Sequence, residues 1–225
     1  MPQAFHLQPG EEPFPGFVLH LPLGRGACGE VWEAHGPDGT TVALKFMRCR
    51  NSSIATKEVR SFQALSGLYH PNLLRVYQVF LQADYLVIAM ELAEYSLMDL
   101  LDLYVAEHGT AVKPELVCQY LSQSAIALDF LNTYQHNHEG RRVAFQHCDI
   151  KPSNILVCGG RAKLADFGLS AALTTTLETH GRAGTLDFAA PEVYRGQLSD
   201  RTDQYALAVT YCLLRGGRLP FHNTL

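Results

Sequence analysis

The sequence predicts an α+β protein in two parts, a strand-rich first half followed by a helix-rich second half. Three observations carry this. Up to Met90 the apolar residues fall largely in short strand-like runs. Two of those runs are joined by Gly36-Pro37-Asp38-Gly39, a strong hairpin signal. From Ser96 onward the apolar spacing is mostly that of helices.

Met1 to Gly16 holds Pro2, Pro9, Pro13 and Pro15 and reads as an extended lead-in rather than a packed element. Strands are expected over Phe17 to Leu23, Glu30 to His35 and Thr41 to Met47. Ser53 to Leu68 reads as a helix, with Val59, Phe62 and Leu65 at helical spacing. Strands over Leu74 to Phe80 and Tyr85 to Met90 come next. Helices follow over Leu97 to Val105 and Pro114 to Tyr134, the second with proline suited to a first turn. Ile155 to Cys158 and Ala162 to Ala165 are short strands about Gly159-Gly160, and a last helix runs from about Asp200 to Leu214. The division expected is a lead-in over 1–16, a strand-rich part over 17–92 and a helical part over 93–225.

The 225 residues carry a net charge of −4, which argues against a basic surface for nucleic acid. No apolar run approaches the roughly 20 residues that cross a bilayer; Tyr205 to Leu214 is too short, and the N-terminus has no signal-peptide pattern. Six cysteines form no CxxC pair, so reduced thiols in a cytoplasmic protein are expected. His136 and His138 read either as a metal pair or, more simply, as part of a solvated loop.

The chemistry-bearing residues come in an ordered series. Gly24-Arg25-Gly26-Ala27-Cys28-Gly29 lies between two expected strands, where glycines let backbone N–H groups approach a polyphosphate; a plain flexible hairpin reads equally well from this segment alone. Val42-Ala43-Leu44-Lys45 puts a lysine inside an apolar strand, where its ammonium needs a phosphate, a carboxylate or a route to solvent. Glu58, the sole acidic residue between Lys45 and Asp84, is the economical partner, an exposed helix glutamate being the alternative. His147-Cys148-Asp149-Ile150-Lys151-Pro152-Ser153-Asn154 then supplies a carboxylate that can accept a hydroxyl proton, and an amide oxygen. Asp166-Phe167-Gly168 adds a second hard oxygen ligand for magnesium, and Ala190-Pro191-Glu192 closes the series.

In this order the motifs resemble the protein kinase superfamily, from about Phe17 to Phe221. The resemblance implies a bilobal fold, a small β-rich N-lobe and a larger helical C-lobe, and transfer of the γ-phosphoryl group of ATP, with Mg2+, to serine or threonine of a protein substrate. It implies that Gly24, Gly26 and Gly29 cover the phosphates and that Lys45, held by Glu58, contacts them. Asp149 is then the base, Lys151 reaches the γ-phosphate as in the serine/threonine branch, and Asn154 and Asp166 hold the metal. Met90 to Ala93 looks like gatekeeper and hinge, with the Glu91 carbonyl and Ala93 backbone on adenine and Val31, Ala43 and Leu156 around the ring. Asp203 resembles the aspartate that braces the catalytic loop. A non-catalytic nucleotide-binding scaffold is the rival expectation, and a small-molecule kinase a third.

Four departures stand out. Cys148 replaces the usual arginine before Asp149, so control by a phosphate on Leu169 to Arg182 is not expected. Cys28 stands where an aromatic residue is common. Glu58 falls about one helical turn early, and Thr133 to Arg142 is an insertion. The sequence stops soon after Leu219-Pro220-Phe221, which reads as a fragment lacking later helices, including the arginine that in the family pairs with the residue matching Glu192.

Overall fold

Five antiparallel strands, β1 (Val18–Gly26), β2 (Gly29–His35), β3 (Thr41–Arg48), β4 (Val76–Gln82) and β5 (Tyr85–Glu91), form a sheet in the order β1-β2-β3-β5-β4. The computed structural model describes residues 7–26, 29–48, 67–82, 84–133, 135–138, 140–166, 171–172 and 186–221. The expected helix over Ser53 to Leu68 lies almost wholly outside them. Two units are present: Met1–Tyr69 with Leu74–Ala93, and His70–Leu73 with Glu94–Leu225.

In the first unit, the strand period of two sorts the residues. Leu19, Trp32, Ala34, Val42, Leu44, Phe46, Val87 and Ala89 share one buried cluster. Ala43 and Lys45 alternate with them on central strand β3, which is buried over Val42–Met47. Val31 pairs with Lys45, and Lys45 pairs with Ile88.

From residue 7 onward the lead-in corrects the sequence reading, because it is packed. Phe14 and Phe17 are 7% and 8% exposed and belong to the same cluster. The Phe14 ring centroid lies 4.2 Å from that of Phe80 and 6.4 Å from that of Phe46. Gly10 N–H donates to the Leu19 carbonyl (2.7 Å) and Leu19 N–H to the Glu11 carbonyl (2.9 Å). Gly16 has φ +85, and a Cβ there would lie 2.6 Å from Pro37 Cβ, so glycine lets the segment close onto the hairpin turn. Proline and glycine correctly denied this segment a regular element; they say nothing against burying its aromatic rings.

The second unit is built on α1 (Leu97–His108), α2 (Pro114–Leu131) and α3 (Thr202–Gly216). Ser96 and Asp99 form a reciprocal capping box on α1, and Gly109 closes it at φ 63. Helix α2 starts on Pro114 and buries Val117, Tyr120, Leu121, Ser124, Ala127, Leu128 and Leu131, a continuous face at helical spacing. It packs on α3 and on β11 (Arg161–Leu164), which pairs with β10 (Ile155–Cys158), itself paired with β6 (Tyr95–Ser96). Buried Asn72 joins this layer, receiving the Leu164 N–H on its carbonyl and donating Nδ2 to the Ala162 carbonyl, both at 2.9 Å.

The insertion is also corrected. Instead of a solvated loop it forms a hairpin, β7 (His136–His138) with β8 (Arg141–Val143). His136 is only 6% exposed. Its Nε2 lies 2.8 Å from the Phe130 carbonyl, and its ring meets Phe130 edge-on at 4.9 Å. His70 stacks on Phe130, and burial pulls its pKa below the ordinary histidine value. Among the described residues, no group of three or more His, Cys, Asp or Glu side chains is placed to hold a metal ion.

Candidate active site

In the second unit, hydrogen-bonded polar side chains cluster on the segment from β9 (Phe145–Gln146) to β11. Its foundation is Asp203 in the first turn of α3, 4% exposed. Asp203 Oδ2 accepts the His147 N–H (2.6 Å) and Oδ1 the Cys148 N–H (2.9 Å). Two successive N–H groups can converge on one carboxylate when the backbone turns through the left-handed region, and Cys148 has φ 64. Burial raises the Asp203 pKa, against the opposing pull of His147 and of the two N–H donors. The bracing role that the resemblance gave to Asp203 thus has a physical form: it holds a strained residue directly before Asp149.

Asp149 is 4% exposed, and three donor contacts converge on its carboxylate. Lys151 Nζ donates to both oxygens at 3.0 Å, and Asn154 Nδ2 donates to Oδ2 at 2.8 Å. Asn154 Nδ2 also donates to the Asp149 carbonyl at 2.8 Å. With its NH2 committed there, the amide end that remains is Oδ1, a hard oxygen acceptor. The Asn154 carbonyl receives the Ala165 N–H (2.9 Å), and the Ala165 carbonyl lies 3.0 Å from His147 Nε2. Asp166, next in the chain, has φ 66. These bonds bring Asp149, Lys151, Asn154 and the approach to Asp166 into one framework, and the oxygen donors present suit a hard divalent cation.

Leu156, half-buried on β10, pairs with Ser96 and Lys163. In the first unit Lys45 is 8% exposed on β3. Glu58, Cys28, Phe167, Gly168 and the threonines from Thr174 to Thr179 lie outside the described residues. Glu91 N–H donates to the Arg75 carbonyl at 2.9 Å, and Ala93 is half-buried just beyond β5. Gly29 has φ +127, and a Cβ there would lie 2.0 Å from the Phe46 carbonyl oxygen, so β2 could not approach β3 with a side chain at this point. Gly24 and Gly26 differ: an added Cβ would meet nothing within 4 Å.

The partners of Glu192 and some polar contacts elsewhere in the second unit escaped sequence reasoning. Glu192 Oε1 accepts the Ser199 hydroxyl at 2.8 Å and the Thr202 hydroxyl at 3.0 Å. Burial pushes the Glu192 pKa up, but hydrogen bonds from its own backbone, Ser199 and Thr202 outweigh it and leave the carboxyl below its ordinary value. Asn132 Nδ2 donates to the Asp200 carbonyl at 2.9 Å, tying the end of α2 to the start of α3. Tyr95 and Tyr120 share a 3.1 Å hydroxyl contact, and burial together with that contact raises Tyr120 to about 12. The available signal was the run Ser199-Asp200-Arg201-Thr202, hydroxyls placed just before a helix.

The comparisons with known proteins agree with this geometry. The protein kinase domain model matches residues 17–225. A probable LRR receptor-like serine/threonine-protein kinase of Arabidopsis thaliana is 30% identical over 201 residues, covering 87% of this chain and 19% of that protein. The sucrose non-fermenting protein kinase 1 of Fusarium virguliforme is 31% identical over 208 residues, covering 89% and 28%. The CBL-interacting protein kinase 4 of Oryza sativa subsp. japonica is 32% identical over 226 residues, covering 95% and 47%. The chain therefore spans about a fifth to a half of the length of these relatives. With a matching family model over nearly all of its length, the chain belongs to the protein kinase domain family.

Proposed function

We propose that this domain transfers the γ-phosphoryl group of ATP to serine or threonine hydroxyls of a protein substrate. The observation that carries the reading is the buried Asp149 carboxylate, fixed by Lys151 and Asn154 on a loop that Asp203 holds from below. Phosphoryl transfer asks mainly for positioning and charge stabilisation, and a rigid acceptor beside a cation meets that demand.

Asp149 orients the substrate hydroxyl and accepts its proton. Lys151, already within 3.0 Å of both Asp149 oxygens, shares its charge with the γ-phosphate. Asn154, through Oδ1, and Asp166 would hold Mg2+. The metal supplies neutralisation of the phosphate charge when bound. Lys45, paired with Glu58, contacts the α- and β-phosphates, and Gly24, Gly26 and Gly29 cover them. Val31, Ala43 and Leu156 contact adenine through apolar surface, and the Glu91 carbonyl and Ala93 N–H through hydrogen bonds. Lys151 after the base, and the serine/threonine-protein kinases among the relatives, support Ser/Thr as acceptor. No helix among the described residues is long and apolar enough to cross a membrane.

The test separates chemistry from binding. Asp149→Ala should lower kcat by about 10² or more, the scale of a general acid–base contribution, with ATP affinity within a few-fold. A variant that turns over at the wild-type rate would contradict the role given to Asp149.

A further inference from the structure

His20 on β1 and His35 on β2 lie with ring centroids 5.4 Å apart and planes at 31°. The strand ladder produces this. Val18 pairs with His35 and Leu19 with Ala34, and then Leu21 pairs with Glu33, so His20 is the extra residue of a bulge. Leu19, Trp32 and Ala34 are buried in the core cluster, while His20 and His35 are exposed. The Glu33 carboxylate Oε1 lies 2.7 Å from His20 Nδ1. An ionised carboxylate can only accept, so Nδ1 carries the hydrogen, and in the neutral ring the lone pair stands on Nε2. A carboxylate behind one ring nitrogen and a lone pair on the other is the arrangement that metal-binding imidazoles adopt.

We propose that His20 and His35 form a two-imidazole site for a borderline divalent cation such as Zn2+, Cu2+ or Ni2+, with Glu33 fixing the His20 tautomer and water filling the remaining positions. Imidazole is the ligand that suits these ions. Metal–nitrogen bonds of about 2.0–2.1 Å require two ligating nitrogens roughly 3–4 Å apart. Two imidazoles that share one cation through such bonds have centroids about 5 Å apart, close to the 5.4 Å between these rings. The site has two protein ligands rather than three, in keeping with the absence of larger His, Cys, Asp and Glu groups among the described residues. A cation here would bridge β1, which runs on to Gly24 and Gly26, and β2, which starts at Gly29, across the bulge that interrupts their ladder.

The test is calorimetric titration of the whole chain with Ni2+, alone and as His20→Asn, His35→Asn and Glu33→Gln. The chain has ten histidines and six cysteines, so the difference between variants, not total uptake, is the readout. Each histidine substitution should weaken the tightest binding step at least about tenfold, and Glu33→Gln by about tenfold, the usual effect of removing the carboxylate behind a ligating histidine. In the wild type, paramagnetic broadening of amide resonances should centre on residues 18–21 and 33–35. Equal affinity in all four proteins, or broadening centred elsewhere, would overturn the assignment. The substituted side chains are on the solvent face, and matching circular dichroism spectra confirm that the variants fold.

Discussion

Replacing Asp203 by alanine tests the foundation of the catalytic loop. The substitution removes the acceptor of two buried N–H groups, those of His147 and Cys148. A hydrogen bond to a charged group contributes about 1.5–3 kcal/mol net, so the gross loss is about 3–6 kcal/mol. Removing a buried carboxylate also relieves its desolvation, the effect that raises its pKa, and a net loss of about 2–4 kcal/mol remains. Against a slope of about 2–3 kcal/mol/M in urea, the unfolding midpoint should fall by about 0.7–2 M. Far-UV circular dichroism is the probe, since α3 and its neighbours dominate that signal. A second variant isolates the strain: Cys148 holds φ 64, which costs a non-glycine residue about 1–2 kcal/mol. Cys148→Gly in the Asp203→Ala background should therefore recover part of the loss. A midpoint for Asp203→Ala within about 0.3 M of wild type would show that the two bonds do not hold this loop.

Two further outcomes follow from the packing and the charges. Phe14→Ala should destabilise the first unit by about 3–5 kcal/mol, the range for a buried phenylalanine. Trp32, the single tryptophan and a member of the same cluster, reports it by fluorescence, and an unchanged transition would mean that the lead-in is not part of the core. The carboxyls of Glu192 and Asp203 have opposite pH signs. Glu192, with a depressed pKa, contributes stability above its unfolded pKa that is lost as pH falls through its lower folded value. Asp203, with a raised pKa, costs stability above that raised value, and the cost is relieved as pH falls through it. Glu192→Gln should flatten the acid limb of the stability profile relative to wild type; superimposable limbs would deny Glu192 its hydrogen bonds to Ser199 and Thr202.

The strands of the sheet were legible because Val42, Leu44 and Phe46 alternate with Ala43 and Lys45, and Gly36 to Gly39 could only be a turn. Strand and helix ends moved by a few residues, as with β4 at Val76–Gln82 against an expected Leu74 to Phe80, since ends are set by partners that periodicity does not reveal. The lead-in was misread because its aromatic rings are irregularly spaced, and the insertion because a buried imidazole looks polar in sequence. Of the site, the identities of Asp149, Lys151, Asn154 and Asp166 came from motif order. The direction of the Asn154 amide, the left-handed Cys148 and the grip of Ser199 and Thr202 on Glu192 depend on tertiary geometry that no spacing encodes.

The central claim is tested most directly by incubating the chain with γ-labelled ATP, Mg2+ and a generic basic protein, then identifying the phosphorylated residues by mass spectrometry. The account predicts phosphate on serine and threonine, with transfer lost in Asp149→Ala and in Lys45→Met. Phosphate on tyrosine alone would contradict the acceptor class. Nucleotide binding without transfer would contradict catalysis itself and leave a domain that holds ATP without using it.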